Sequence, residues 1–170
     1  NPLYTARELE HQLTDSGAEV IVVVENFART VAQVLGRTKV RRVIVTSIGE
    51  LLGFKGIIVD LVLRHVKKMI PAWSLPEAVR LSDALAAGRT GKLERVPLAH
   101  DDIAFLHYTR GTTGVAKGAV LLHRNLVANL LQAEAWNLPA LSKLPPGEQP
   151  TTVCALPLYH AFALVANCLF

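Results

Sequence analysis

Val20-Ile21-Val22-Val23-Val24 is a five-residue run in which every side chain is apolar and branched at Cβ. Such residues are stiff at χ1 and suit a pleated surface. A run with no polar alternation is what a parallel strand covered on both faces shows. Upstream, Arg7 to Ser16 reads as a helix with Leu9 and Leu13 on one face, stopped by Gly17. Downstream, Phe27 to Leu35 has helical spacing and stops at Gly36, and Val43-Ile44-Val45 is the next strand. Helix and strand alternate, which implies the α/β class: a mainly parallel sheet with flanking helices.

The same reading continues along the chain. Gly56 to Ile70 has helical periodicity up to Pro71, and Leu81 to Ala87 forms a short helix ended by Gly88. Arg89 to His100 reads as a surface connection into the apolar run Ile103 to Leu106. His123 to Trp136 is a helix, and Leu138 to Pro150, with four prolines, is a loop. Thr151 to Ala155 is expected as a strand that delivers Tyr159 and His160 to its end. Neither an internal repeat nor a low-complexity segment interrupts this order.

A chain of 170 residues can bury a core of its own, yet 51% hydrophobic against 19% charged residues is apolar for a free-standing domain. The chain begins at Asn1 and ends inside the apolar run Leu164 to Phe170, which reads as a piece of a larger catalytic domain. Net charge is a modest +4, with no Lys/Arg tract interleaved with aromatics, so nucleic-acid binding has little support. Cys154 and Cys168 sit in apolar contexts and are expected as buried, reduced thiols of a cytoplasmic protein. No signal peptide is visible, and no apolar stretch reaches the roughly 18 residues that a membrane-spanning helix requires.

The chemistry concentrates in Tyr108-Thr109-Arg110-Gly111-Thr112-Thr113-Gly114-Val115-Ala116-Lys117-Gly118-Ala119. Glycines let backbone N–H groups converge on an anion, hydroxyls add donors and oxygen ligands for Mg²⁺, and a lysine supplies positive charge. A polyphosphate fits that composition. An ordinary glycine-threonine turn between strands is the plain alternative, but turns seldom need so many hydroxyls beside a lysine. A Walker loop is excluded by count: from Gly111, its second glycine would fall on Ala116 and its hydroxyl on Gly118. The dinucleotide fingerprint fails too, because Thr113 stands where its second glycine belongs.

Tyr108 to Asn125 resembles the phosphate-binding loop of adenylate-forming (AMP-binding) enzymes, the superfamily of acyl-CoA synthetases, luciferases and peptide-synthetase adenylation domains. Leu156-Pro157-Leu158-Tyr159-His160-Ala161-Phe162 is similar to that superfamily's aromatic motif. Asn1-Pro2-Leu3-Tyr4-Thr5 followed by Arg7-Glu8-Leu9 resembles the upstream segment of bacterial long-chain fatty acid-CoA ligases. The resemblance spans essentially the whole chain. It implies part of the large N-terminal domain, with residues 1–100 as the segment before the phosphate loop and 101–170 carrying loop and aromatic motif. A small C-terminal domain and further adenine-binding motifs would complete the enzyme.

The implied reaction joins a long-chain fatty acid to ATP as acyl-adenylate, then to CoA as thioester. Thr109, Arg110, Gly111, Thr112, Thr113, Gly114, Lys117 and Gly118 would grip ATP, with Thr112 and Thr113 at Mg²⁺ and Lys117 also catalytic. Tyr159, His160 and Phe162 would form part of the acyl site, with His160 beside the reacting carboxylate. Beside aromatics, a histidine is as readily a packed core residue. His107 and His123 read as strand and helix-start residues. Arg110 departs from the family's small residue, and three readings stay open: extra phosphate affinity, an idle side chain, or a block to loop closure.

Gly56 to Ile70 places Ile58, Val62, Val66, Met69 and Ile70 on one side and Asp60, Arg64, Lys67 and Lys68 on the other. A helix covering the sheet with a solvated basic face is the favoured reading, and peripheral contact with an inner-membrane surface is its rival. A homodimer is carried as a further candidate assembly. The rival functions are an aryl- or amino-acid-activating relative, or a non-catalytic nucleotide-binding or folding module.

Overall fold

The computed structural model describes residues 1–110 and 116–169, Arg110 by its backbone alone. The chain divides into two compact units, Asn1–Arg95 and Val96–Phe170.

In the first unit, helix α1 (Ala6–Ser16) starts in a capping box: the Thr5 hydroxyl accepts from the Glu8 N–H, and the Glu8 carboxylate accepts from the Thr5 N–H at 2.8 Å. It ends at Gly17, whose φ of 64° and N–H to Thr14 make the left-handed stop that glycine permits. Strand β1 (Val20–Val24) pairs in parallel with β2 (Arg42–Thr46), and β2 with the two-residue β3 (Val79–Arg80). Between β1 and β2, a 3₁₀ turn at Glu25–Phe27, helix α2 (Ala28–Val34) and a second 3₁₀ turn over Leu35–Arg37 make the crossover.

The register sets Ile21 beside Val43 and Val23 beside Val45, and these face the core of Ala28, Val31 and Leu75, with Leu9 and Trp73 packed against it. Period 2 sends Val20 and Val22 the other way, where they remain 54% and 59% exposed. The expectation of a strand covered on both faces is therefore corrected. Among the described residues, one face of β1 is covered and the other is open.

Helix α3 (Phe54–Leu61) continues as a π-helical segment, Val62–Val66, and stops at Lys68, which adopts φ 50°, short of the expected Ile70. Here the Met69 N–H bonds the Leu63 carbonyl across the left-handed residue, so the stop is a backbone motif rather than Pro71. Its orientation overturns the favoured reading. Gly56 is buried and Val59, Asp60 and Leu63 are half-buried, whereas Ile58, Val62, Val66 and Met69 are exposed. Asp60 accepts from the Ser47 hydroxyl and from the Gly49 N–H at 2.9 Å, and Arg64 donates to the fully buried Glu25 at 2.7 Å. Polar residues fix the inner side because they have partners there.

Helix α4 (Leu81–Thr90) runs through Gly88, where the sequence had suggested a stop; without a left-handed turn, a helical glycine costs only about 1 kcal/mol.

The second unit holds strand β4 (Ile103–Arg110) antiparallel to β5 (Ala116–Leu122), then helix α5 (His123–Leu141) and the short helix α6 (Ala161–Leu164), which passes into a π-helical segment, Val165–Leu169. The expected helix to Trp136 extends to Leu141 through Pro139, which has no N–H to offer the carbonyl four residues back. Thr151 to Ala155, expected as a strand, pairs with no described strand, and without a ladder its exposed backbone is left as coil. Cys154 and Cys168 are exposed, correcting their expected burial; an apolar neighbourhood in sequence does not ensure cover in space.

Candidate active site

The strand pair presents the described residues of the segment expected to bind phosphate. Opposite residues of an antiparallel pair share a face, with Cβ atoms roughly 5 Å apart. Thr109 faces Lys117 in this way, and both side chains are exposed. One step inward, Tyr108 faces Gly118. A Cβ at 118 would lie 2.9 Å from Tyr108 Cζ, so glycine leaves room for a tyrosine ring that would otherwise have to shift. That is a reason the sequence reading did not supply. Arg110 pairs by its backbone with Ala116. Gly111, Thr112, Thr113 and Gly114, with both residues expected at Mg²⁺, lie outside the described residues. No group of three or more His, Cys, Asp or Glu able to hold a metal occurs among the described residues.

The other end of the pair is fixed to helix α5. His123 and Arg124 donate their N–H groups to the carbonyls of Asp102 and His100, and the Arg124 guanidinium lies 2.6 Å from Asp101. Asn125 accepts from the Leu122 N–H at 2.9 Å, satisfying a donor at the helix start. His123 is therefore a helix-start residue and His107 a strand residue of β4, as read from the sequence.

The aromatic motif follows a tight turn. The His160 N–H donates to Pro157 at 2.8 Å, and His160 caps α6, accepting from Leu164 at 3.0 Å. Tyr159 is 46% and Phe162 65% exposed. Phe162 lines a cavity of about 840 Å³, whose wall includes Asn129, Asn137 and Leu141 of α5 and Asn167. Tyr159 and His160 do not line it. Asn137 and Asn167 spend their amide N–H on Ala133 and Ala163 carbonyls. The sequence reading passed over these asparagines; their one signal was polar residues on an otherwise apolar helix face.

Thr109 and Lys117 are thus brought together, as are Tyr159, His160 and Phe162 on one turn. No hydrogen bond or ion pair among the described residues joins Lys117 to His160. Helix α5 touches β4, β5 and the Val165–Leu169 segment, and so links the two groups.

Comparison with known proteins gives the family and the fold. The family model of AMP-binding enzymes matches residues 1–170. The chain is 50% identical over 170 residues to a long-chain-fatty-acid–CoA ligase of Escherichia coli O6:H1, covering 99% of this chain and 30% of that protein. It is 47% identical to the Haemophilus influenzae protein of the same name, again over 99% of this chain and 30% of the relative. The Bacillus subtilis protein of that name is 29% identical over 98% of this chain and 29% of its own length. This chain therefore spans about 30% of the length of the curated relatives it matches. Among solved structures, the A domain of carboxylic acid reductase from Segniliparus rugosus, in complex with AMP and a co-purified carboxylic acid, aligns with a TM-score of 0.54 at 20% identity. It covers 96% of this chain and 26% of that one, and supports the α/β fold. The chain belongs to the family of AMP-binding enzymes.

Proposed function

We propose that this chain forms part of the large N-terminal domain of an ATP-dependent long-chain fatty acid-CoA ligase working in the cytoplasm. In it, the β4–β5 pair supplies the phosphate grip and the turn before α6 supplies part of the acyl site. The observation that carries this is Thr109 opposite Lys117 on an exposed strand face, at the two ends of the glycine-threonine segment 111–115. Relatives at about 50% identity bearing the ligase name support the substrate class.

In this reading a carboxylate oxygen of the fatty acid forms a bond to the α-phosphorus of ATP, and the bond to pyrophosphate breaks. CoA sulfur then takes the acyl group and AMP leaves. An anion attacking a polyanion is slow unless fixed positive charge and donors meet the phosphates. Lys117, the Thr109 hydroxyl and the segment's own hydroxyls and N–H groups meet that need. Mg²⁺, a hard cation that takes oxygen ligands, suits the hydroxyls of Thr112 and Thr113 and would neutralise phosphate charge when bound. His160 and Tyr159 orient the carboxylate, and Phe162 bounds the acyl side.

On its own the 170-residue chain does not complete either half-reaction, because orientation needs groups beyond it. The experiment is ATP–pyrophosphate exchange by the full-length protein, with long-chain fatty, aryl and amino acids compared. Exchange driven by the fatty acid is expected. Exchange driven only by an aryl or amino acid, or none with any acid, overturns the reading. A lipid surface is a further proposed partner, carried by helix α3 rather than by this site.

A further inference from the structure

The cavity beside Phe162 has a wall that a plain hydrocarbon does not match. One stripe of helix α5 faces it: Asn129, Ala133, Asn137 and Leu141 recur every four residues, the spacing that keeps side chains on one side of a helix. Asparagine is a poor helix former, because its amide competes for backbone groups. Two asparagines on one stripe are therefore not there for the helix's sake. Thr151 and Thr152, from the coil before the aromatic motif, and Asn167, from the π-helical segment, bring three more polar side chains to the same space.

The hydrogen bonds show what this wall still offers. Asn137 donates an amide N–H to the Ala133 carbonyl at 2.8 Å, and Asn167 one to the Ala163 carbonyl at 3.4 Å. Each amide is thereby fixed along its own helix, and its oxygen, which only accepts, keeps both lone pairs. Among the described residues no partner is found for those two oxygens, for the Asn129 amide or for either threonine hydroxyl. An O–H group matches such a wall, since it donates to an amide oxygen and accepts from the N–H that remains.

Charge and size narrow the occupant. No Asp, Glu, Lys, Arg or His lines the cavity, so a phosphate, carboxylate or ammonium group finds no counter-charge there. About 840 Å³ lies within the roughly 300–1,000 Å³ of small-molecule sites. Phe162 and Val165 supply apolar surface beside the amides, so the fitting molecule is mainly apolar, neutral at this point and hydroxylated. Water occupies a polar wall of this kind when nothing else does. A methylene chain laid along it displaces that water without replacing its bonds, whereas a hydroxyl on the chain restores them.

We infer that the amides of Asn137 and Asn167 select, among long-chain acids, those that carry a hydroxyl on the acyl chain. The inference rests on the acyl-activating reading and narrows its substrate class.

The test is ATP–pyrophosphate exchange by the full-length protein with octadecanoic acid and with its monohydroxy isomers, the hydroxyl lying near the carboxylate, at mid-chain or near the methyl end. The readout is the ratio of kcat/KM for hydroxy acid to that for the plain acid, which a general loss of folded enzyme leaves unchanged. At least one isomer is expected to be preferred by roughly 3–10-fold, the worth of one neutral hydrogen bond. Asn137→Leu and Asn167→Leu, made separately, remove the acceptor at similar size. Each should bring the ratio for that isomer to within about 2-fold of unity. A wild-type ratio at or below unity for every isomer leaves the wall to water and overturns the inference, whatever the variants do. So does a wild-type preference that persists in both variants. Exchange with the plain acid but no hydroxy preference refutes this inference alone. Exchange with none of these acids refutes the ligase reading, and this inference with it.

Discussion

Removing the guanidinium of Arg64 should cost the first unit about 2–3 kcal/mol. Glu25 is fully buried, its Oε2 lying 2.7 Å from Arg64 and 3.5 Å from Arg80, while its Oε1 has no hydrogen-bond partner. Taking one partner from a wholly buried ion pair costs about 3–5 kcal/mol, because the remaining charge is stranded. Two features reduce that figure here. The Arg64 side chain is 44% exposed, so part of its charge already faces water, and Arg80 stays behind as a second, longer contact. Arg80→Ala should cost less, about 1–1.5 kcal/mol, which includes its seat over the Trp73 ring at 5.8 Å. Arg64→Lys should recover part of the loss, since a point charge replaces a planar fork. Urea denaturation measures this: Arg64→Ala should move the midpoint down by about 1 M at unchanged slope. A loss below about 0.5 kcal/mol, or Arg80→Ala costing more than Arg64→Ala, would refute the assignment of Arg64 as the main partner of the buried carboxylate.

Two other outcomes follow from the same unit. Gly56→Ala should destabilise by at least ~1–3 kcal/mol, because the new Cβ meets the Gly49 backbone and no flexible side chain can yield; a melting temperature within a degree or so of wild type would contradict the close approach. Burial pushes the Glu50 carboxyl up, but donors from Thr46, Ser82 and Ser47 outweigh it and hold its pKa below the usual value. With the folded pKa depressed, its contribution is present above the unfolded pKa and is lost as pH falls through the folded one. Glu50→Gln should therefore cost stability at neutral pH and little in acid, and stability curves of equal separation at all pH values would disprove it.

How far the sequence could be read depended on whether the deciding partner was near or far along the chain. Gly17, the Val20–Val24 run and the Val43–Val45 strand act through local backbone preference and period 2, so α1, β1, β2 and their parallel order were legible. The inward face of α3 was not. Its periodicity marks two faces, but which one turns in is set by Glu25 and Ser47, 39 and 13 residues from their partners Arg64 and Asp60. The same holds for Thr151 to Ala155: β-branched residues favour extension, yet a strand exists only beside another. In the candidate site, composition gathered Thr109 and Lys117 into one glycine-threonine segment, whereas their place on paired strands, and the room glycine leaves at 118 for a tyrosine ring, arise from the pairing of β4 with β5. The cavity beside Phe162 required α5 to pass over it, which no local pattern encodes.

Single-turnover formation of acyl-adenylate by Lys117→Ala in the full-length protein tests the phosphate-grip assignment most directly. Losing one fixed contact to charge that develops in the transition state costs about 3–4 kcal/mol, or roughly 10²–10³ in rate. The account predicts a fall of that size at saturating ATP and fatty acid, with fatty acid affinity unchanged. An unaltered single-turnover rate, or a loss confined to fatty acid binding, would contradict it.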